Sequence, residues 1–93
     1  MSDYRVFETD EFKRQNVKLA QRRGRSIDRK LQGYVYVQLK QDPHTGPNIK
    51  RLQGYEPPTW RYRIGDYRIF YTIDERERIV FILTIDDRKD AYR

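Results

Sequence analysis

Arg61, Arg63 and Arg68 are spaced so that their guanidinium groups could converge on an anion such as a phosphodiester. They lie in Trp60-Arg61-Tyr62-Arg63-Ile64-Gly65-Asp66-Tyr67-Arg68-Ile69-Phe70-Tyr71-Thr72-Ile73, where the residues alternate and only Gly-Asp interrupts. Gly-Asp between β-branched and aromatic residues marks a two-residue β-hairpin, with Gly65 supplying the positive φ that opens a type II′ turn. That register pairs Ile64 with Tyr67, Arg63 with Arg68, Tyr62 with Ile69 and Arg61 with Phe70. A period of two then sorts Trp60, Tyr62, Ile64, Tyr67, Ile69, Tyr71 and Ile73 onto one face, and Arg61, Arg63, Arg68 and Phe70 onto the other. Like charges directly across a ladder disfavour it by a few tenths of a kcal/mol. Either an external anion accepting several guanidinium hydrogen bonds compensates, or the arginines are the solvated side of a half-buried sheet, their stems lying over Phe70.

A second basic group precedes the hairpin. Lys13, Arg14, Lys18, Arg22, Arg23, Arg25, Arg29 and Lys30 are opposed within that span only by Asp28. Such a ridge is either a solvated helix surface or a contact for a polyanion. The whole chain carries 20 Lys+Arg against 14 Asp+Glu, a net charge of +6, which favours an anionic partner. With no cysteine and one histidine, the sequence excludes disulfides and thiol catalysis and makes a metal site a poor expectation. That histidine, His44, is the one imidazole available for acid/base work, but its Gly/Pro-flanked loop argues against the precise positioning catalysis needs.

The positioning elements can be read in order. Tyr4-Arg5-Val6-Phe7 is expected as a first strand, and Thr9 or Asp10 as the cap of a helix reaching about Arg22 and ended by Gly24. Ser26 is expected to cap a second helix, with Ile27, Leu31, Tyr34, Val35 and Leu39 inward and an end before Asp42-Pro43. The stretch 49–58 reads as an irregular lead into the hairpin. Ile79 to Ile85 is a near-continuous apolar strand, lying centrally or covered on both faces. The order β-α-α-β-β-β predicts one α+β domain over 1–93, its helical hairpin packed on one face of a mainly antiparallel four-stranded sheet and the arginine face open. With no signal peptide and no membrane-length apolar run, a cytoplasmic protein is expected.

The hairpin Arg61-Tyr62-Arg63-Ile64-Gly65-Asp66-Tyr67-Arg68-Ile69-Phe70-Tyr71, the Leu52-Gln53-Gly54 lead-in and the tail Arg88-Lys89-Asp90-Ala91-Tyr92-Arg93 together resemble the RelE/ParE superfamily of type II toxin–antitoxin toxins. The resemblance spans essentially the whole chain. It implies a RelE-like fold, a cytoplasmic toxin neutralised by a cognate antitoxin and, in the RelE branch, an endoribonuclease that cuts messenger RNA in the ribosomal A site without a cofactor. Arg61, Arg63, Arg68, Arg88 and Tyr92 match the catalytic positions of that branch. The Lys13–Lys30 ridge would then grip ribosomal RNA, and Phe70 would contact the message. Where many relatives carry Gly-His before the tail arginine, this chain has Asp86 and Asp87; a proton-transfer role for that histidine would here be absent or pass to Asp87. Two rival expectations are a ParE-like protein that inhibits DNA gyrase by binding, and a single-stranded RNA binder that uses Phe70 and the arginines as a platform.

Overall fold

The computed structural model describes residues 3–87. Strand β1 (Arg5–Glu8) leads into helix α1 (Asp10–Arg23). A second helical segment follows as α2 (Asp28–Lys30), a π-helical stretch (Leu31–Val35) and α3 (Tyr36–Gln41). The remaining strands are β2 (Ile49–Arg51), β3 (Trp60–Ile64), β4 (Tyr67–Asp74) and β5 (Ile79–Asp87). They form one sheet in the order β1-β5-β4-β3-β2, antiparallel except for the parallel β1–β5 pair. The expected α+β layering holds, but the sheet has five strands. The lead-in read as irregular contains β2, whose Lys50 and Arg51 pair with Arg61 and Trp60. Three residues with one apolar side chain carry too little periodicity to announce a strand, and the ladder with β3 supplies what they lack.

The hairpin register is the one expected, from Ile64 opposite Tyr67 to Arg61 opposite Phe70. Gly65 has φ 58°, and Asp66 is not among the positive-φ residues, as a type II′ turn requires. On β5 the ladder slips: Phe70 opposes Thr84 but Tyr71 opposes Ile82, leaving Leu83 as a bulge. Val80, Ile82, Ile85 and Asp87 therefore stay on the buried face, while Thr84 and Asp86 turn to the other.

The core lies between that buried face and the helices. Tyr62, Ile69, Tyr71, Val80 and Ile82 from the sheet meet Phe12, Leu31, Val35 and Leu39 from the helices, all with no exposed surface. Thr9 caps α1, its Oγ1 accepting from Phe12 N, and Gly24 ends it at φ 75°. Ser26 Oγ accepts from Asp28 N, although the residue flanking α2 is Ile27. Ile27, Leu31, Val35 and Leu39 recur every four residues, a spacing that drifts around an ideal α-helix. The wider i→i+5 turns of the π stretch absorb that drift and keep all four inward. The same widening overturns one expectation: Tyr34 is 59% exposed, and Tyr36 takes the buried position.

Each of the four most buried tyrosines has a hydrogen-bonded hydroxyl, as burial demands. Tyr62 donates to Gln38, Tyr36 to Glu8 and Tyr71 to the Pro43 carbonyl, while Tyr67 accepts from Arg23 Nε. Burial first, then the Glu8 carboxylate, raises the Tyr36 phenol well above its ordinary value; burial does the same for Tyr71. Tyr71→Phe would leave the Pro43 carbonyl without its buried donor and should cost about 1 to 3 kcal/mol in urea unfolding. An unchanged midpoint would show that water replaces the hydroxyl.

Candidate functional site

The open face of the sheet gathers the arginines in two cross-strand rows. One row runs Arg63, Arg68, Asp86 across β3, β4 and β5; the other runs Lys50, Arg61, Phe70, Thr84 across β2 to β5. Directly paired residues project to the same side, and Ile49 and Tyr62 pack on the core, so Lys50 and Arg61 must point away from it. Arg63 and Lys50 are exposed; Arg61 and Arg68 are half-buried, with their Nε atoms withdrawn from solvent. A guanidinium partly lifted out of water binds an anion more strongly than one on a free stem.

Three residues of these rows, Lys50, Thr84 and Asp86, were not assigned to the site from the sequence. Lys50 joins only through β2. Asp86 stands across from Arg68, so the row that sets Arg63 against Arg68 also contains an acidic group of the fold. Arg88 and Tyr92, the other two residues assigned to the site, lie outside the described residues.

Asp87 is elsewhere. It faces the helices, is buried, and accepts from Arg23 Nη1 at 3.0 Å, with Arg22 Nη2 at 3.7 Å. Strand alternation thus turns Asp87, one of the two alternatives for the proton-transfer role of the relatives' histidine, to the side opposite the arginines, and Asp86 is the carboxylate on the arginine face. Arg23 is similarly engaged. It stacks over the Tyr67 ring at 5.2 Å, donates to the Tyr67 hydroxyl at 3.2 Å and reaches Asp66 at 3.7 Å. This ties the end of α1 to the hairpin tip.

The rest of the ridge remains on the surface. Lys13, Arg14, Lys18, Arg22, Arg25, Arg29 and Lys30 are exposed, with Arg14 paired to Glu11 at 2.6 Å. Arg25, Arg29, Lys30 and Tyr67 line a hollow of about 240 Å³ below the hairpin tip. Ridge and arginine rows therefore lie on opposite sides of the sheet.

His44 is fixed more firmly than its loop suggested. Its Nε2 is 2.7 Å from Glu75 and its Nδ1 3.3 Å from Asp42, and the ring packs edge-on against Tyr4 and Trp60. Both nitrogens are occupied, and the cluster ties the loop after α3 to the β4–β5 turn. Glu75 is held below its ordinary value of 4.5 by its hydrogen bond with His44, and Asp42 below 3.8 by the Thr45 hydroxyl and then the His44 amide. A depressed carboxylate stabilises the fold above its unfolded value and loses that contribution as pH falls through the folded one. Stability should therefore decline in acid below about pH 4.5, and more shallowly in His44→Gln, followed by thermal melting against pH. Both carboxylates are largely solvated, so the effect is small; identical acid limbs would remove His44 from the linkage.

Among the described residues no helix is long and apolar enough to cross a membrane. Residues 9–92 match the profile of the ParE toxin of the type II toxin–antitoxin system parDE. No curated protein sequence matches. Among solved structures, a chain of the toxin–antitoxin complex RelBE2 from Mycobacterium tuberculosis is similar with a TM-score of 0.72 and 30% identity, over 95% of this chain and 94% of that one. The archaeal RelE–RelB complex from Pyrococcus horikoshii OT3 gives 0.69 at 24% identity, over 92% of this chain and 96% of that one. The E. coli DinJ–YafQ toxin–antitoxin complex gives 0.68 at 15%, over 98% and 99%. The last two likenesses are of fold alone. With the profile spanning nearly the whole chain, the protein belongs to the ParE toxin family of type II toxin–antitoxin systems, within the RelE/ParE superfamily.

Proposed function

We propose that this toxin is an endoribonuclease that cleaves messenger RNA in the ribosomal A site and is neutralised by a cognate antitoxin, as the relatives crystallised with theirs suggest. The observation that carries the reading is the alignment of Arg61, Arg63 and Arg68 on one open sheet face. In the proposed reaction the ribose 2′-OH gives its proton to water and attacks the adjacent phosphorus while the P–O5′ bond breaks, giving a 2′,3′-cyclic phosphate and a 5′-OH; water later returns a proton to the group that protonates O5′. The guanidiniums would stabilise charge building on the phosphoryl oxygens and hold the nucleotide in line. Arg88 would add a further cation and Tyr92 would protonate the leaving oxygen. The ridge from Lys13 to Lys30, on the far side of the sheet, would meet ribosomal RNA while the arginine face meets the message.

The match to a ParE toxin keeps a second reading in play, in which, as the resemblance implies, the toxin binds and inhibits DNA gyrase. Mapping 5′ ends shortly after induction, alongside a supercoiling assay with purified gyrase, separates them. New ends within translated codons support the nuclease; intact message with blocked supercoiling replaces it with the gyrase reading.

A further inference from the structure

Beside the arginine rows the open face carries a mostly apolar hollow of about 290 Å³, lined by Leu52, Tyr55, Thr59, Phe70, Leu83 and Thr84. The bulge on β5 brings Leu83 and Thr84 together on it, and β2 brings Leu52 from its end. Tyr55 is 58% exposed, an aromatic left in water at the rim. Thr59 already donates its hydroxyl to the Pro57 carbonyl. Phe70, in the floor, is the direct cross-strand neighbour of Arg61 and stands two residues, about 7 Å, from Arg68 on the same face.

We infer that this hollow is a nucleobase subsite, taking a base of the single-stranded message whose phosphate lies on Arg61 and Arg68, with Lys50 extending the cationic row toward the next phosphate. The inference rests on the proposed nuclease reading and names its substrate contact. The occupant follows from the juxtaposition. A flat apolar group attached to an anion fits an aromatic floor flanked by guanidiniums, and single-stranded nucleic acid sites pair such stacking surfaces with a positive groove. Few free polar groups line the hollow, so it reads the presence of a base rather than its identity. Discrimination among the four bases should be weak, because every base offers a π face.

The test uses the full chain on ribosomes programmed with a short message and a vacant A site. Single-turnover cleavage is compared between the normal message and messages lacking one base at each A-site position in turn. At one position, removing the base should slow the wild type by about tenfold, the scale of a lost base–aromatic stack. Tyr55→Ala should slow cleavage of the normal message by a similar factor and be nearly indifferent to removal of that base, because the two changes delete the same contact. Leu52→Ala should show the same non-additivity in weaker form. Multiplicative effects of Tyr55→Ala and base removal, or a wild type indifferent to every base, would overturn the subsite while leaving the nuclease standing. Failure of the wild type to cut the normal message would overturn the nuclease reading and the subsite with it.

Discussion

Arg68→Ala is expected to slow cleavage of translated message by at least about 100-fold, the scale on which removal of one preorganised charge-stabilising group acts. Arg68 is central to its row, with Arg63 on one side and Asp86 on the other, and is half-buried, so its guanidinium is held in place. Its Cβ sits on the face opposite the core, and truncation should leave the fold intact. Arg68→Lys keeps the charge and loses the planar fork; it should recover only part of the rate. Primer extension on a reconstituted translation reaction, with melting curves for each variant, reads both quantities. A folded Arg68→Ala that cuts as fast as wild type would remove the arginine row from the chemistry.

Asp87→Ala should act in the opposite sense, lowering stability by about 1 to 3 kcal/mol while leaving the single-turnover rate of the folded protein near wild type. The carboxylate is buried and Arg23 donates to it at 3.0 Å, whereas the Arg23 side chain keeps 22% of its surface in solvent. Removing Asp87 takes the buried carboxylate from a cation that keeps Asp66, the Tyr67 hydroxyl and some water, which holds the cost below that of a fully buried pair. In a domain of this size each kcal/mol is worth roughly 4 to 8 °C of melting temperature. A large rate loss in a variant with unchanged melting would instead make Asp87 a proton-transfer group acting from the helical side. Asp86→Ala offers the contrast. It changes the charge beside Arg68 and should alter rate or salt dependence with little effect on melting.

The hairpin shows how much local sequence can carry. Strict alternation around Gly65-Asp66 specified the turn, the register and both faces, because a one-residue slip would have moved Tyr62, Ile69 and Tyr71 from core to solvent. The capping of α1 by Thr9 and its end at Gly24 were legible for the same reason: both depend on backbone groups within a turn of the residue concerned. The resemblance added Arg88 and Tyr92 to the site, and these stand as sequence assignments.

Other features depended on partners distant in the chain. Lys50 enters the cationic row only because Ile49–Arg51 adds to the edge of β3, a pairing that its own residues do not demand. Tyr34 and Tyr36 are both aromatic, and only the π stretch decides which is buried. Asp86 and Asp87 are chemically identical neighbours with opposite fates. The bulge at Leu83 and the parity of β5 send one to the arginines and the other to Arg23. By itself the sequence determined the α+β class, the arginine hairpin and the family, since these follow from periodicity and motif. The tertiary structure alone decided which carboxylate meets the arginines and what lies beside Phe70, because each depends on which strand becomes whose neighbour.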